Sequence, residues 1–284
     1  MEPISLHPVT EVELPQIKDW LEQFLPDSLK LYWTVRNMIQ GRWQGSTLVT
    51  LGWPDILAVG EGPIPEDSPC YEFHASSRRT SVFSPDPEHL ETLLLYPDYL
   101  DWSKPIIFQG VNKQNRPVLD KIIEAKGNNC HIDTFSILEA GQEELPPRSV
   151  PEGLELRALD CDLDIDYITS TRYKTRDGEA SYIKELIKRF PSVGLFDENN
   201  KCIGLELGKE NGTLGMLHVR EEFRGCGLGK VITSQLAQKY FRDDLPVTVL
   251  VPKDNEVSWR MHTSCGFRKM GDLDWMYYNT GCVM

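Results

Sequence analysis

Apolar residues recur at helical and strand spacings along the first half of the chain. Positions three and four residues apart predict helices over residues 14–25, 85–95 and 117–125. Short runs of branched and aromatic side chains, bounded by turn residues, predict strands. These runs cover residues 29–35, 47–51, 56–59, part of 71–83, and 106–108. Helices and strands that alternate in this way indicate a mixed α/β layer.

The second half repeats the alternation. Its strands are predicted at residues 154–158, 193–196, 202–207, 214–219 and 247–251. Its helices are predicted at residues 160–171, 179–190, 231–242 and 255–264. Asn211-Gly212 is a strong hairpin signal, and a last hairpin is predicted between Gly266 and residues 275–278.

A polar segment without any period separates the two halves. It carries three prolines and two glycines over residues 141–153, a composition typical of a linker. We therefore predict two domains, residues 1–140 and residues 154–284. The chain of 284 residues is long enough for both.

A glycine-rich loop joins the strand at 214–219 to the helix that follows it. Arg224 is followed by three glycines at alternate positions, Gly225, Gly227 and Gly229. Glycine adopts backbone conformations that other residues resist. A helix N-terminus offers unpaired N–H groups and the positive end of its dipole. The loop therefore predicts an anion site, most simply for a phosphate or pyrophosphate.

The spacing of these glycines separates three phosphate-binding motifs. A P-loop needs four residues between its first Gly and its Gly-Lys pair, whereas only three separate Gly225 from Gly229. A dinucleotide fingerprint needs a third glycine where Lys230 stands. The pattern R-x-x-G-x-G is complete in Arg224, Gly227 and Gly229. It resembles the CoA pyrophosphate loop of the GCN5-related N-acetyltransferases (GNAT); a plain glycine-rich turn is the alternative.

The chain is acidic overall. Against 43 acidic residues stand 30 basic ones, which gives a formal net charge of −13. This balance argues against a nucleic-acid surface, because such surfaces are basic. A polyanion such as CoA must therefore be attracted locally, unless the basic residues near the loop are simply solvated. These residues are Arg220, Arg224, Lys230, Lys253 and Arg260.

Nothing in the sequence predicts a membrane segment or a metal site. No apolar run approaches the roughly 20 residues of a membrane-spanning helix, and the acidic N-terminal stretch is unlike a transit peptide. Seven cysteines are scattered, with no C-x-x-C and no Cys/His group at metal-ligand spacing. We expect a cytoplasmic protein with free thiols and no metal, and a mitochondrial location only as the second choice.

A second motif follows the strand predicted at 247–251. Asn255 is followed by Ser258, Met261 and His262, and then by Gly266-Phe267. These offsets resemble the GNAT motif that comes after the pyrophosphate helix, except that His262 stands where the superfamily has Tyr. Together the two motifs imply that the second half is a GNAT domain of the FR47-like type that binds acyl-CoA.

The whole chain resembles the glycine N-acyltransferase family. The resemblance runs through residues 25–32, 53–55, 100–102, 189–192 and the glycine loop. It implies an α/β (α+β) fold of two GNAT-like domains in tandem, each a mixed, mostly antiparallel sheet flanked by helices, of which only the second keeps the CoA loop. It also implies direct transfer of an acyl group, in a ternary complex, from acyl-CoA or acetyl-CoA to glycine or another small amine. We expect a monomer or weak dimer without nucleic-acid or membrane partners.

The resemblance also implies which residues form the site. The expected CoA contacts are Leu217, His218, Val219, Arg224, Gly225, Cys226, Gly227, Leu228, Gly229, Lys230, Asn255 and Ser258. Glu222 matches the family's Glu, two residues before the loop arginine, to which a base role is assigned. His218 is its rival, because the ordinary pKa of histidine suits general-base work. His262 is the expected acid for the leaving thiolate, whereas Cys226 lacks the base that an acyl-enzyme mechanism needs.

Other functions and roles stay open at this point. A non-catalytic acyl-CoA-binding sensor or scaffold would keep the loop without transfer, and the missing Tyr favours it. A peptide or polyamine N-acetyltransferase would suit the acidic balance, because a negative surface attracts a cationic acceptor. Glu222 is alternatively a solvated loop carboxylate. His218 and His262 are alternatively histidines that are packed for structural reasons.

Overall fold

A computed structural model describes residues 5–43, 45–75, 78–171, 177–242 and 247–280 of the protein, the side chains of residues 74 and 75 excepted. The backbone divides into two compact units. The first unit is Met1–Phe135 with Gly271–Met284, and the second unit is Ser136–Met270. The domain and linker boundaries given above stay a prediction.

The first unit combines short strands with helices. In chain order its elements are β1 (Leu6–Pro8), α1 (Leu14–Glu22), α2 (Leu29–Ile39), β2 (Leu48–Leu51), β3 (Ala58–Glu61), α3 (Tyr71–Ala75), β4 (Arg78–Thr80), β5 (Val82–Phe83), α4 (Pro87–Leu94), β6 (Ile106–Val111), α5 (Arg116–Lys126) and β7 (Cys130–Ala140), whose last residues belong to the second unit. Strands β1, β2, β3 and β5 form an antiparallel sheet in that order. Strand β4 instead pairs in parallel with β6, so the chain changes partner at Ser81.

Helices α4 and α5 supply much of the core of the first unit. Leu90 and Leu93 of α4 are fully buried, and so are Leu119 of α5 and Phe108 of β6. The two helices have the apolar spacing from which they were predicted. The helices expected at 85–95 and 117–125 are therefore confirmed.

Residues 29–35, predicted as a strand, are instead the first two turns of α2. The prediction was wrong because all seven of these residues are buried. A helix buried on every side lacks the polar stripe that reveals a helical period. Its aromatic and branched side chains then resemble those of a strand.

The second unit contains a larger sheet. Its elements are β8 (Leu154–Arg157), α6 (Ile165–Ser170), α7 (Glu179–Arg189), β9 (Ser192–Asp197), β10 (Cys202–Gly208), β11 (Thr213–Val219), α8 (Leu228–Phe241), β12 (Val247–Pro252), α9 (Glu256–Thr263) and β13 (Arg268–Tyr278), which ends in the first unit. The strand order is β12-β11-β10-β9-β8. Strands β11 and β12 are parallel, and the other neighbours are antiparallel. Ile232 and Leu236 of α8 are fully buried in the core of this unit.

The last predicted hairpin is replaced by one strand. Strand β13 runs through 11 residues without a turn. The hairpin prediction was wrong because the first residues of this strand, from Arg268 to Met270, are exposed, and the later ones are buried. An exposed polar stretch followed by an apolar one looks like a turn followed by a strand.

The predicted α/β class is confirmed by sheets that are flanked by helices in both units. The sheets are mixed, because most neighbouring strands are antiparallel and β4–β6 and β11–β12 are parallel. Among the described residues, no helix combines the length and the apolar character that crossing a bilayer requires.

Candidate active site

A cleft opens in the second unit where β11 and β12 separate. In the part of the sheet that the structure describes, the pairing of these parallel strands ends at Leu214 and Val249. Further along, β11 carries a bulge, where one residue of β10 faces two of β11. Within the bulge Met216 has a left-handed φ of 59°. A bulge bends and twists its strand, and this accounts for the divergence of β11 from β12.

The cleft has a volume of about 1010 Å³, at the upper end of the range for small-molecule sites. Its walls come from β11, the glycine loop, the start of α8, and α9. The structure places the expected CoA contacts on these walls: Leu217, His218, Val219, residues 224–230, Asn255 and Ser258. The other lining residues are Arg148, Phe223, Val257, Arg260, Met261 and Ser264.

Two left-handed glycines shape the loop before α8. Gly225 has a φ of 81°, and Gly227, which caps the helix, has a φ of 80°. Residues with a side chain are strained in this region. A Cβ added to either glycine would meet no atom within 4 Å. The backbone conformation therefore requires these glycines, and the space in front of them is open to a ligand.

The first N–H groups of α8 are unused. Lys230 and Val231 both donate their backbone N–H to the carbonyl of Gly227, at 3.0 and 3.3 Å. The backbone N–H groups of residues 225–229 have no acceptor among the described residues. The first turn of α8 carries no acidic side chain, so the positive end of the helix dipole is not compensated there. Such a helix start has the chemistry of a phosphate-binding site.

Three of the basic residues named above line the cleft, and each makes different contacts. Arg224 braces the loop, because its Nε donates to the carbonyl of Val219 at 3.0 Å. Arg260 forms an ion pair with Glu256 on the exposed side of α9. Lys230 has no ion-pair partner in the described part of the chain. Of these three residues, Lys230 is the one whose charged group has no hydrogen-bond or ion-pair partner among the described residues.

Arg148 is a cleft residue that the sequence did not reveal. Its segment was predicted as a linker, yet it is held against α8. The Arg148 N–H donates to Ser234 Oγ at 3.1 Å, and its carbonyl accepts from Gln235 Nε2 at 2.7 Å. Its side chain lines the cleft, with no acidic partner among the described residues. A lone Arg in a proline-rich stretch has no periodic signal, so only the folded chain identifies it.

Asn255 has a clear structural role in the second motif. Its side chain accepts a hydrogen bond from the N–H of Ser258 at 3.0 Å and caps α9. The cap fixes the start of α9 beside the cleft, where Ser258 and Met261 form part of the wall. The spacing of Asn and Ser in the motif is therefore that of a helix cap.

His262 lies beneath the cleft wall and is only 4% exposed. Its Nδ1 donates to the carbonyl of Ser258 at 2.9 Å, and its ring meets that of Phe267 edge-on at 5.2 Å. Burial lowers the pKa of His262, so the ring is neutral, with its proton on Nδ1. Its Nε2 is buried without a partner in the described chain. In this state Nε2 can accept a hydrogen bond but has no proton to give to a thiolate.

Glu222 lies outside the set of residues that line the cleft. Its side chain is 55% exposed and forms an ion pair with Lys201 at 3.3 Å. A hydrogen bond with its own backbone and the nearby Lys201 lower its pKa below the usual value. Glu222 is therefore ionised near neutral pH, but it is a weak base that is engaged elsewhere.

His218 lies on β11, half-buried, and lines the cleft. Its ring is 6.1 Å from that of Tyr167, in an edge-on arrangement. The structure gives its ring nitrogens no hydrogen-bond partner among the described residues. Burial, followed by the charges of Arg224 and Arg220, lowers the pKa of His218. The imidazole is thus neutral near pH 7 and free to accept a proton.

Two protein families match the chain. Residues 7–155, more than half of the chain, match the family described as aralkyl acyl-CoA:amino acid N-acyltransferase. Residues 192–276 match the family described as FR47-like protein. The second match contains the glycine loop and α9.

Proteins of similar sequence carry related names. Glycine N-acyltransferase from Bos taurus is 22% identical in an alignment 284 positions long, and the alignment covers 94% of this chain and 96% of that protein. Glycine N-acyltransferase from Homo sapiens is 23% identical in an alignment 273 positions long, and the alignment covers 87% of this chain and 90% of that protein.

Solved structures show the same fold at lower identity. A Drosophila protein solved by X-ray crystallography has a TM-score of 0.82 at 14% identity and covers 99% of this chain and 100% of its own. A tandem GNAT protein from the clavulanic acid biosynthesis pathway has a TM-score of 0.58 at 13% identity, again with 99% and 100% covered. The predicted architecture of tandem GNAT-like domains is thereby confirmed. The chain belongs to the aralkyl acyl-CoA:amino acid N-acyltransferase family and is an acyl-CoA-dependent N-acyltransferase.

Proposed function

We propose that the protein transfers an acyl group from acyl-CoA to the amine of glycine or another small amino acid, with both substrates bound at once. The observation that carries this proposal is the start of α8, where unpaired N–H groups face a large cleft. The diphosphate of CoA is an anion that such a helix end binds. Apolar lining residues on β11 and α9, namely Leu217, Val219 and Met261, suit the less polar parts of the same molecule.

His218 is the proposed general base. An amino group near pH 7 is mostly protonated and cannot attack a thioester until it loses a proton. A base acts best when its pKa lies near the working pH and when it lies within reach of the proton. His218 lines the cleft, and its ring nitrogens have no hydrogen-bond partner in the described part of the chain, whereas Glu222 is paired with Lys201 and does not line the cleft. These placements support His218 over Glu222.

The chemical steps follow from this arrangement. His218 takes one proton from the ammonium group, and the neutral nitrogen attacks the carbonyl carbon of the thioester. The carbonyl oxygen becomes negative, and backbone N–H groups of β11, beyond the point where β12 leaves it, are the proposed donors to it. The new C–N bond then forces out the thiolate. The nitrogen loses its second proton as the amide forms, and this proton neutralises the thiolate. The products are therefore the N-acyl amino acid and free CoA as a thiol, and His218 passes the first proton to solvent.

His262 has a different proposed place in this scheme. Its buried, neutral ring braces α9 from inside, through the carbonyl of Ser258. We therefore assign His262 to positioning Ser258 and the α9 wall. Protonation of the thiolate by His262 would need a charged ring, which burial disfavours.

An assay of thiol release tests the proposed function. The protein is incubated with a panel of acyl-CoAs and amino acids, and free CoA is followed with a thiol reagent. We expect release that depends on both the acyl-CoA and the amine acceptor. Thermal stabilisation by CoA without turnover of any acceptor would instead indicate an acyl-CoA-binding sensor. Turnover of polyamines or peptides alone would replace the amino acid as acceptor.

A further inference from the structure

An arginine and an aromatic ring lie close to His218 of β11. Arg220 comes two residues after His218, and alternate residues of an extended chain face the same side. The guanidinium carbon of Arg220 lies 4.2 Å from the centre of the Tyr167 ring. The ring of His218 lies 6.1 Å from the same ring. Arg220 and Tyr167 are not among the residues that line the cleft. Tyr167, on α6, connects Arg220 to the cleft wall, because its ring contacts both Arg220 and His218.

One hydrogen bond holds the guanidinium of Arg220 in place and leaves its two terminal nitrogens available. Its Nε donates to the carbonyl of Cys202, and its backbone N–H donates to the carbonyl of Ile203 at 2.8 Å. The two terminal nitrogens have no acceptor among the described residues, and no described carboxylate forms an ion pair with them. Arg220 is half-buried in a chain with 43 acidic residues. The N–H groups on its two terminal nitrogens are therefore pre-oriented to bind an external anion.

A second donor lies on the same ring. The hydroxyl oxygen of Tyr167 is buried and has no hydrogen-bond partner in the described chain. Burial raises the pKa of Tyr167, so the hydroxyl keeps its proton at neutral pH. A buried hydroxyl without a partner loses stability unless a ligand or water satisfies it. Tyr167 thus adds a hydrogen-bond donor beside the guanidinium of Arg220.

We propose that Arg220, with the hydroxyl of Tyr167, binds the carboxylate of an α-amino acid whose amine is presented to His218. This inference rests on the function proposed above and names its acceptor class. One carbon separates the amine from the carboxylate in an α-amino acid. Side chains two residues apart start roughly 7 Å from each other along an extended chain, so a base and a cation can converge on these two groups. Amines without a carboxylate would lose the contact with Arg220.

The test compares an amino acid with its own amide. Glycine and glycinamide, or the best amino acid of the panel and its amide, are assayed at saturating acyl-CoA with wild type and Arg220→Gln. We expect the variant to lower kcat/KM for the amino acid about 30-fold, mainly through KM, because a hydrogen-bonded charge is lost. The amide should change less than about threefold, and CoA affinity should stay constant.

Controls separate recognition from folding. Arg220→Lys keeps the charge but not the fork, and should restore part of the preference for the amino acid. Tyr167→Phe should weaken the same preference by a smaller factor. Arg36→Gln is the matched control, because Arg36 also lies over an aromatic ring, Trp33, at 4.8 Å, but in the first unit. It should leave the preference unchanged, and thermal unfolding of each variant reports any loss of fold.

Equal losses for amino acid and amide in Arg220→Gln would overturn the inference while leaving the transferase function intact. Absence of turnover with every acceptor would contradict the proposed function itself. In that case calorimetric titration of glycine and glycinamide into the CoA-saturated protein tests Arg220 separately. Tighter binding of glycine that Arg220→Gln abolishes would support the carboxylate site, and equal binding of the two would overturn it.

Discussion

Helices α4 and α8 lie in different units, and they begin in different ways. At the start of α4 the Asp86 carboxylate accepts the N–H of Glu88 at 2.8 Å. Pro87, the first residue of that helix, has no N–H at all. At the start of α8 Gly227 provides no side-chain cap. The same kind of helix end is thus closed in the first unit and open in the second.

This difference supports the proposal that the anion binds in the second unit. A phosphate at α4 would meet the negative charges of Asp86 and Glu88 in place of free N–H groups. A side-chain cap typically stabilises a helix by about 1 kcal/mol, and α8 lacks that contribution. Helix α4 therefore begins at a side-chain cap, whereas the start of α8 has none and is available to a ligand.

The buried carboxylates of the two units differ in a similar manner. Glu61 of β3 accepts the N–H of Ser81 at 2.7 Å and lies 3.6 Å from Lys30 Nζ. Glu206 of β10 is only 1% exposed, and its Oε2 has no partner in the described chain. Burial raises the pKa of Glu206 to about 8. Glu61 is thus paired, whereas Glu206 is held in the protonated form.

The largest expected effect comes from closing the open helix end. Gly227→Glu places a carboxylate on a left-handed residue at the proposed phosphate site, and we expect CoA affinity to fall at least about 100-fold through charge repulsion and bulk. Isothermal titration with CoA measures this. The matched control is Gly127→Glu, because Gly127 has a φ of 70° and its Cβ would also meet no atom within 4 Å. A similar loss in that control, or none at Gly227, would contradict the assignment of the loop.

The next effect concerns the base. His218→Ala is expected to lower kcat about 100-fold, the usual contribution of general-base catalysis, while Glu222→Gln changes it less than about threefold. Because its pKa is lowered from 6.5, His218 stays neutral down to pH values below 6.5, and activity should be lost only as the pH falls further. Pre-steady-state rates with saturating substrates measure both. The reverse ranking, with a large loss from Glu222→Gln, would move the base to Glu222.

A smaller effect is expected from opening the other helix end. Asp86→Ala removes the cap of α4 and should cost about 1 kcal/mol of unfolding free energy. It should not create a CoA site, because Pro87 still lacks an N–H. Chemical denaturation and CoA titration of this variant measure the two quantities. CoA binding that survives in Asp86→Ala combined with Gly227→Glu would refute the contrast between the units.

The last prediction concerns the pH dependence of stability and rests on Glu206. Its pKa is raised from 4.5 to about 8, so the folded state holds a proton that the unfolded state loses between these values. This contribution to stability is complete below pH 4.5 and declines as the pH rises through 8. Glu206→Gln should remove the decline, so that the variant gains on wild type as the pH rises. Unfolding midpoints of both proteins, measured from pH 5 to 9, check this. A difference between the two midpoints that stays constant with pH would contradict it.

Motif spacing in the sequence singled out Gly225, Gly227 and Asn255 as candidate site residues. The structure gives a local backbone reason for each of them, because the two glycines are left-handed and Asn255 caps α9. Tertiary packing decides the rest. The burial of α2 on all sides hid its helical period, and Arg148 gave no signal in a proline-rich stretch. Likewise, a sequence does not show that Glu222 pairs with Lys201 while His218 lines the cleft.

Mass spectrometry of a reaction with one acyl-CoA and one amino acid shows directly whether the start of α8 serves acyl transfer. If the open start of α8 holds acyl-CoA for transfer, the N-acyl amino acid and free CoA appear in equal amounts with wild type and with Gly127→Glu, and neither appears above background with Gly227→Glu. Binding of acyl-CoA without any N-acyl product in wild type, or undiminished product with Gly227→Glu, would contradict it.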